Sequence, residues 1–295
     1  MISVSVGVCA YNEEKNISLS LSSICKQREE GFTLVDVIVV SSGSTDRTDQ
    51  LVEEIKKDDP RVVLARQEKR EGKNSAVNLF MTLAKGEVLV LVNADNILEP
   101  DSLQKLIAPF QDPHVGMVGG HPVPSNEKGT IAGFAVHMLW DMHHRLSLIY
   151  PKAGELVAFR NPHMSLPTTL QSDEDIIRME LERKGLRTVY ASEAIVHNKG
   201  PTTIRDFFKQ RTRVNIGEKY MKRIYDFEIP TWNARYLFAS YLGFLRDNRR
   251  HLPKILAAIA LEGMARLYAT VYVILDRGDK AVWSQVTSTK DVRKD

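Results

Sequence analysis

A polar loop near residue 95 carries the carboxylate best placed to do chemistry. The loop reads Asn93-Ala94-Asp95-Asn96 and follows an apolar segment over 87–93. A carboxylate at the C-terminal end of a buried strand can hold a hard divalent cation, which prefers oxygen ligands. Such a cation would neutralise a diphosphate group. The alternative interpretation is a solvated aspartate that caps the next element.

Two further polar loops each follow an apolar segment. In Ala10-Tyr11-Asn12-Glu13-Glu14, the Tyr11 ring can stack on a base, and Glu13 or Glu14 can accept hydrogen bonds from it. In the loop over 41–48, Gly43 permits a tight turn, and free N–H groups can bind an anion or ribose hydroxyls. Ordinary helix starts are the alternative interpretation of both loops.

The second half of the chain carries an acidic trio, the histidine His197 and a basic helix. Asp173, Glu174 and Asp175 begin a helix predicted over 172–184, which Gly185 ends. The alternative is that these carboxylates only stabilise the helix dipole. A helix predicted over 203–222 is rich in cations that can bind phosphate or form a solvated face. These cations are Arg205, Lys209, Arg211, Arg213, Lys219, Lys222 and Arg223.

An alternation of strands and helices must position these residues. We predict strands at 2–10, 34–41, 61–66, 87–93 and 115–120, and helices at 14–27, 46–57, 73–84 and 101–110. This order predicts a mainly parallel sheet with helices on both faces. In such sheets ligands bind beyond the carboxyl ends of the strands. The three polar loops are therefore expected to meet at one edge of the sheet.

The pattern weakens after residue 120. Proline and glycine punctuate 121–165, where we predict only a helix over 130–148. A strand is predicted at 187–191, and two further helices within 231–275 precede a polar tail from Asp276. We therefore expect a catalytic domain over 1–225 and a helical region over 226–295.

Composition excludes several classes of protein. The 295 residues are 43% hydrophobic and 26% charged, as in globular proteins, and the formal net charge of +3 gives no indication of nucleic-acid binding. Cys9 and Cys25 suggest neither a disulfide framework nor a zinc site, which fits a reducing compartment. The N-terminal alternation predicts a strand rather than a signal peptide. A cytoplasmic location is expected.

Four motifs in order resemble the inverting glycosyltransferase family 2, which has a GT-A fold. The first is the Y-N-E loop at Ala10–Glu14, and the second is a D-D-G-S-T-D-like loop at Ser41–Asp46. The third is a K-x-x-A-x-N helix at Lys73–Asn78, and the fourth is a D-x-D loop at Asn93–Asp95. The resemblance covers roughly 2–217. It implies an α/β GT-A fold with a mixed, mainly parallel sheet flanked by helices and a C-terminal helical extension.

The second half extends this resemblance toward the catalytic domain of membrane polysaccharide synthase-like enzymes. The segment Gly154–Arg160 resembles the acceptor-side segment of the family, which implies acceptor-side roles for Gly154, Phe159 and Arg160. The acidic trio resembles the family's E-D motif, which supplies the general base. Residues 210–214 resemble a Q-x-x-R-W motif, whose polar residues contact the donor diphosphate. The matching residues are Gln210, Arg211 and Arg213.

The resemblance implies a metal-assisted transfer from a nucleotide-diphosphate sugar. Asp95 would bind Mg²⁺ or Mn²⁺. His197 would be a second ligand because a histidine in this region binds metal in some GT-A enzymes, and the alternative is a surface or packed histidine. A UDP-sugar is the expected donor, with GDP-mannose as the alternative, and the acceptor is a hydroxyl of a lipid-linked or saccharide molecule. The donor side would comprise Ala10, Tyr11, Asn12, Glu13, Ser42, Lys73, Asn74, Asn93, Ala94 and Asp95.

Two carboxylates compete for the role of general base. An inverting transfer needs a carboxylate to take the proton of the acceptor hydroxyl. In the family motif the base lies about eleven residues before the glycine that ends the helix, so Gly185 indicates Glu174. The letters E-D alone indicate Asp175. We favour Glu174, and Asp173 completes the predicted catalytic group.

Several positions depart from the family pattern. Ser41 and Ser42 stand where the family has two aspartates, and Asn93 replaces the first aspartate of D-x-D. Val214 replaces the tryptophan of Q-x-x-R-W. These departures leave open a non-catalytic member that binds sugar nucleotides. A nucleotidyltransferase is a further alternative, but it would need a basic Gly-rich loop where the acidic loop 10–14 stands.

The C-terminal segment Leu252–Leu275 is mostly apolar but contains Lys254, Glu262 and Arg266. Charges in mid-segment disfavour a transmembrane span, and Glu262 and Arg266 can pair on one helix face. We expect an interfacial helix on the cytosolic face of a membrane. The alternative is a helical pair packed on the catalytic domain or in a homo-oligomer.

Overall fold

The computed structural model describes residues 1–170, 172–227, 229, 234–278, 282, 287–289 and 291. The strands are β1 (Ile2–Ala10), β2 (Phe32–Ser42), β3 (Val62–Gln67), β4 (Val88–Asn93), β5 (Ile97–Leu98), β6 (Val115–Pro124), β7 (Leu156–Arg160) and β8 (Arg187–Asn198). The helices are α1 (Ile17–Cys25), α2 (Thr48–Asp58), α3 (Lys73–Leu83), α4 (Ser102–Ile107), α5 (Ile131–Ile149), α6 (Asp173–Arg183), α7 (Ile204–Tyr225), α8 (Ala234–Asp247) and α9 (Leu252–Ile274).

The eight strands form one sheet in the order β3-β2-β1-β4-β7-β6-β8-β5. The β3-β2-β1-β4 half is parallel throughout, whereas β7 runs antiparallel to both β4 and β6, and β5 runs antiparallel to β8. β6 and β8 are parallel. The mixed, mainly parallel α/β sheet expected from the sequence is confirmed.

Apolar residues on both faces of the central strands explain why the sheet lies between two helical layers. Val88, Leu89 and Val90 of β4 are all fully buried. Because successive side chains of a strand point to opposite faces, Val88 and Val90 pack with α1 and α4, and Leu89 packs with α3, α6 and α7. This continuous burial is typical of strands covered by helices on both faces.

The structure differs from the sequence-based elements after residue 120. β7 was not predicted, because its five residues lie within the segment punctuated by proline and glycine. β8 continues to Asn198 instead of ending at 191, and its second half pairs with β5 and with the end of β6. The extension brings the chain at Asn198 back to the edge of the sheet where the polar loops lie.

The two C-terminal helices pack on the rest of the fold. α9 contacts α5 and α7, and α8 contacts α5. The packed side of α9 includes Ile255, Ala258 and Ala265, which are nearly inaccessible to solvent. The division of the chain between 225 and 226 falls at the end of α7 and stays a prediction.

Candidate active site

A cavity of about 540 Å³ opens at the carboxyl ends of β1 and β4, beside the first turn of α6. Helices α5, α7, α8 and α9 complete its walls. Most of the residues predicted from sequence line this cavity together. They are Ala10, Tyr11, Glu13, Ser42, Lys73, Asn93, Ala94, Asp95, Gly154, Asp173, Glu174, Asp175, Gln210, Arg211 and Arg213.

The loops after β1 and β2 are fastened to each other by Asn12. Its backbone adopts a left-handed conformation with φ of 52°, and its Oδ1 accepts a hydrogen bond from the Thr45 N–H at 2.8 Å. Its own N–H donates to Ser44 Oγ at 3.2 Å. Asn12 therefore positions the two loops instead of lining the cavity.

Tyr11 and Ser42 form the wall expected to hold a nucleotide, with a partner that the sequence did not predict. The Arg70 guanidinium lies over the Tyr11 ring, 4.2 Å from its centroid. Ser42 Oγ accepts a hydrogen bond from the Glu71 N–H at 3.2 Å. The turn at Gly43 has φ of +69°, and a Cβ there would lie 2.7 Å from the Arg70 nitrogen. Only glycine therefore lets the segment 69–72 approach β2 so closely.

Lys73 joins the donor side of the cavity to the acidic trio. Its Nζ lies 2.9 Å from Asp173 Oδ2 and 3.4 Å from Glu174 Oε1. Burial alone would lower the pKa of Lys73, but Asp173 and Glu174 together raise it. The lysine therefore stays charged and holds the first turn of α6 against the start of α3.

Glu174 and Asp175 both have pKa values shifted toward neutrality. Removal from water raises the pKa of Glu174 to about 8, with Lys73 opposing and Asp173, Glu155 and Asp175 adding to the rise. Removal from water raises the pKa of Asp175 to about 6, with Lys152 opposing. A carboxylate with a pKa near the operating pH suits a general base.

Asp95 shares its corner of the cavity with Glu155, which the sequence did not predict as a site residue. Glu155 accepts hydrogen bonds at Oε2 from the amides of Asn93 and Asn96. Its backbone carbonyl also accepts from Asn96 Nδ2 at 3.0 Å. Burial and then the nearby charge of Glu155 raise the pKa of Asp95 to about 7. Two acidic side chains therefore lie within electrostatic reach of each other, one just after β4 and one just before β7.

The residues of α7 that the sequence predicted at the diphosphate divide into two groups. Gln210 and Arg213 line the cavity, and Arg213 lies within electrostatic reach of Glu155, Asp173 and Asp95. Arg211 also lines the cavity, but Glu262 of α9 holds its guanidinium through contacts of 2.7 and 3.0 Å.

Glu262 pairs with Arg266 as well, at 2.8 Å. This confirms the pairing of Glu262 with Arg266 that their spacing predicted. Arg211 therefore joins α7 to α9 at the wall of the cavity, and the diphosphate roles of Gln210, Arg211 and Arg213 stay a prediction.

Other predicted residues lie outside the cavity. His197 of β8 points away from it because the neighbouring Asn198 lines the cavity and strand side chains alternate. Its Nε2 lies 3.1 Å from Glu99 Oε1, so the structure does not bring it to Asp95. Phe159 is fully buried in the core. Arg160 donates to the backbone carbonyls of Phe110 and Val115.

Asn74 likewise serves the architecture of the site. It is 2% exposed, and its amide donates to the Pro167 carbonyl at 2.9 Å. The neighbouring Asn78 donates to the Leu166 carbonyl and accepts from the Leu166 N–H. The asparagines of the K-x-x-A-x-N helix thereby fix the segment that leads into α6.

The wall of the cavity formed by α5 and α8 is largely apolar and was not predicted. It includes Leu139, Trp140 and His143 of α5, with Leu237 and Tyr241 of α8. Burial and then Lys152 lower the pKa of His143 to about 3, so its imidazole is neutral. His143 follows Leu139 by four residues and Trp140 by three, which places the three side chains on one helix face. That spacing is the signal by which the sequence could have revealed them.

The donor corner of the cavity offers oxygen atoms suited to a divalent cation. Within the described residues, no three or more histidine, cysteine, aspartate or glutamate side chains are grouped to enclose a metal. Asn96 is fully buried, lines the cavity, and has an Oδ1 without a hydrogen-bond partner there. Mg²⁺ binds proteins through one or two carboxylates plus phosphate oxygens and water. Asp95 and Asn96 therefore fit such a cation when a diphosphate completes its ligands.

Two family models match the chain. One, described as glycosyl transferase family 2, matches residues 5–168. The other, described as glycosyl transferase family group 2, matches residues 88–275. Together they extend over the sheet, the cavity and α9.

Curated relatives give the same result. An N-acetylglucosaminyltransferase of Bradyrhizobium elkanii is 37% identical over 131 residues, which are 43% of this chain and 70% of that protein. A poly-β-1,6-N-acetyl-D-glucosamine synthase of Staphylococcus aureus is 31% identical over 218 residues, which are 70% of this chain and 52% of the synthase. An uncharacterized glycosyltransferase of Haemophilus influenzae is 33% identical over 119 residues, or 40% of this chain and 36% of that protein. The chain thus spans about half or less of most of these relatives.

Solved structures agree on the fold. The mannosyltransferase PcManGT from Pyrobaculum calidifontis, in complex with GDP-Man and Mn²⁺, superposes with a TM-score of 0.64 at 22% identity, covering 93% of this chain and 87% of that one. Residues 1–349 of TarS from S. aureus, in complex with UDP-GlcNAc, superpose with a TM-score of 0.54 at 16% identity, covering 93% and 92%. At these identities the likeness establishes the GT-A fold, as the sequence predicted.

Proposed function

Because this chain belongs to glycosyl transferase family 2, we propose that it transfers a sugar, with inversion, from a nucleotide-diphosphate sugar to an acceptor hydroxyl. The observation that carries the proposal is the cavity itself. It brings the polar loops after β1 and β4, the acidic first turn of α6 and the cationic face of α7 around one space. Donor contacts and a proton acceptor are thereby available to a single bound substrate.

The donor is expected to occupy the side of the cavity near Tyr11 and Asp95. Tyr11 offers a ring for a base, and Ser42 offers a hydroxyl close to the turn at Gly43. Gln210 and Arg213 approach from α7, where an arginine can bind a diphosphate through two parallel hydrogen bonds. We propose a UDP-sugar as the first choice of donor and GDP-mannose as the alternative. The nucleotide-sugar complexes of PcManGT and TarS support this class of ligand.

The reaction requires one bond to form, one to break and one proton to move. The acceptor oxygen attacks the anomeric carbon from the face opposite the diphosphate. The bond between that carbon and the β-phosphate oxygen breaks, and the phosphate oxygen keeps the bonding electrons. The hydroxyl proton passes to a carboxylate of α6. Attack from the opposite face inverts the anomeric configuration.

We propose that Glu174 is this base, with Asp175 as the alternative. Glu174 lies 3.4 Å from Lys73 and within the electrostatic reach of Glu155, so it borders the donor side of the cavity. The main charged neighbours of Asp175 are instead Lys152 and Glu218, which form an ion pair at 3.1 Å. Asp173, bound to Lys73 and 5% exposed, is better suited to holding the helix in place.

A divalent cation, Mg²⁺ or Mn²⁺, is the proposed cofactor. When bound, it would neutralise the negative charge that develops on the departing diphosphate. Asp95 and Asn96 are the residues we propose to hold it, on the fit described above. The Mn²⁺ of the PcManGT complex supports this choice of metal.

For the acceptor, the apolar wall formed by α5 and α8 favours a molecule that carries an apolar portion. Leu139, Trp140 and Leu237 line that wall. We therefore propose a lipid-linked acceptor before a free saccharide. Trp140 can also pack against the apolar face of a sugar ring. A saccharide that ends in a lipid would use both features.

Helices α8 and α9 are the proposed contact with a membrane surface. Within the described residues, one helical stretch, Arg249–Ile274, has the length and composition of a membrane span, and 33% of its most apolar window is buried against protein. We propose that this stretch lies on the membrane surface together with α8. One side of α9 packs on α5 and α7, while large apolar residues of both helices face outward. These residues are Phe238, Leu242, Leu256, Ile259, Met264, Leu267 and Ile274.

Flotation with vesicles tests this contact. Exposed Arg249 and Arg250 at the start of α9 favour anionic headgroups. We expect the protein to float with anionic vesicles, and Leu256→Glu combined with Leu267→Glu to abolish flotation without lowering the Tm. If the unmodified protein stays in the soluble fraction with anionic vesicles, the surface contact is refuted.

A panel of nucleotide sugars tests the donor assignment. Ligand binding raises Tm by mass action, so a UDP-sugar should raise it in the presence of Mn²⁺ and raise it less with a chelator. Release of nucleoside diphosphate then separates an enzyme from a member that only binds sugar nucleotides, the alternative favoured by Ser41, Ser42 and Asn93. If the best donor binds but is neither hydrolysed nor transferred, the binding alternative replaces our proposal.

A further inference from the structure

We propose that Glu155 supplies the second carboxylate of the cation site, in place of the aspartate missing at position 93. The inference rests on the proposed function, since it concerns the cation that assists the same donor. Asp95 would then hold the cation from the end of β4, and Glu155 from the residue just before β7. The two ligands are 60 positions apart in the chain and meet only because β7 runs antiparallel beside β4.

The position of Glu155 is fixed by the residues around Asp95. Asn93 Nδ2 donates to Glu155 Oε2, and Asn96 Nδ2 donates to the Glu155 backbone carbonyl at 3.0 Å. The asparagines therefore hold the glutamate against the Asn93–Asn96 loop. An aspartate at position 93 would instead place two carboxylates in contact and repel Glu155.

An asparagine at position 93 and a glutamate at position 155 are therefore compatible with each other. An amide at position 93 can donate a hydrogen bond to Glu155, whereas a carboxylate at that position can only accept one while it is ionised. The corner keeps two carboxylates in either arrangement. One is Asp95, and the other comes from position 93 or from position 155.

A buried oxygen without a partner gives independent support for a ligand at this corner. Asn96 is fully buried with its Oδ1 unpartnered among the described residues, although its Nδ2 is bonded to Glu155. An unsatisfied buried carbonyl oxygen is costly, and a bound cation would satisfy it. Two carboxylates and an amide oxygen are a set of hard ligands, suited to Mg²⁺ or Mn²⁺ and not to a soft metal.

Arg213 can balance the negative charge of the two carboxylates before a cation binds. It lies within electrostatic reach of both Glu155 and Asp95. The guanidinium can thus balance the carboxylates in the empty site and contact the diphosphate in the filled one. Lys73 also acts on Asp95, from the side of the acidic trio.

The test is Mn²⁺ affinity, measured by electron paramagnetic resonance on the full chain with saturating UDP. We expect Glu155→Gln to weaken Mn²⁺ binding at least tenfold, because even loss of a group that supports a metal ligand costs about 10–100-fold. The double variant Asn93→Asp/Glu155→Gln should recover affinity to within about threefold of the unmodified protein. In that variant the glutamine amide can donate to the new aspartate.

Glu99→Gln is the matched control, because it removes a carboxylate that pairs with His197 outside the cavity. It should leave Mn²⁺ affinity unchanged, and thermal unfolding without metal should show that every variant is folded. If Glu155→Gln binds Mn²⁺ as well as the unmodified protein, or if the double variant recovers nothing, the inference is overturned. If the unmodified protein binds Mn²⁺ with neither UDP nor GDP, in either order of addition, the proposed function itself fails.

Discussion

The ion cluster around Glu262 joins the cavity to the C-terminal helices, and its removal should destabilise the whole fold. Glu262 of α9 accepts from Arg211 at 2.7 and 3.0 Å and from Arg266 at 2.8 Å. The carboxylate side chain is 5% exposed, while the two arginine side chains are 15% and 24% exposed. Glu262→Ala would leave the Arg211 guanidinium buried without its partner.

Two observations give the expected loss in the free energy of unfolding of Glu262→Ala. Removing one member of a buried ion pair typically costs about 3–5 kcal/mol. The pKa of Glu262 is also lowered from 4.5 to about 2, because Arg211 and Arg266 outweigh the effect of burial. A shift of that size corresponds to about 3 kcal/mol of stability. Since the folded-state pKa is depressed, this contribution is present above pH 4.5 and is lost as the pH falls toward 2.

Chemical and thermal unfolding of Glu262→Ala measure this effect. We expect a loss of about 3 kcal/mol and a Tm lower by roughly 10 °C. The exposed pair of Glu180 and Arg183 offers the control, since Glu180→Ala should cost less than about 1 kcal/mol. Arg211→Met/Glu262→Leu should recover much of the loss, because apolar residues can replace a buried pair. A Glu262→Ala protein as stable as the control variant would refute the reasoning.

Activity should also depend on pH, on the turn at Gly43 and on the apolar wall around Trp140. If Glu174 is the base, kcat/KM should rise with pH with a midpoint near 8, and if Asp175 is the base, with a midpoint near 6. The reason is that only the ionised carboxylate accepts a proton. A kcat/KM that is constant from pH 5 to 9 contradicts both assignments. Gly43→Ala should raise the donor Kd at least tenfold, because Gly43 closely approaches residues 69–70. Gly185 also has positive φ but no neighbour within 4 Å, so Gly185→Ala should only lower stability by about 1–2 kcal/mol. Equal donor affinities of the two variants would show that the close approach at Gly43 does not matter for the donor. Trp140→Ala should raise the acceptor KM several-fold while leaving the donor Kd unchanged, and an effect on the donor alone would move the acceptor elsewhere.

The donor side could be predicted because it depends on local sequence. In a parallel sheet the carboxyl ends of the strands share one edge, so a polar loop after each apolar strand indicates the site. Asp95 and Tyr11 were found in this way, and both line the cavity. The GT-A fold followed from the same alternation together with the family motifs.

Residues brought in by long-range pairing could not be predicted. Glu155 reaches Asn93 only through the antiparallel pairing of β7 with β4, and β7 lies in a segment whose pattern is broken by proline and glycine. The sequence also could not show which face of β8 His197 occupies, since the strand continues past its predicted end. Arg211 was predicted at the diphosphate, but its buried partner lies 51 residues further along the chain.

The central claim is an inverting sugar transfer in this cavity, with Glu174 as the base. The most direct measurement is nuclear magnetic resonance of the anomeric signals during turnover of the best donor, with the unmodified protein and with Glu174→Gln. We expect a product of inverted configuration, and a variant that binds donor normally but turns over about 10²–10⁴-fold more slowly. Retention of configuration, or equal turnover by the variant, would contradict the account.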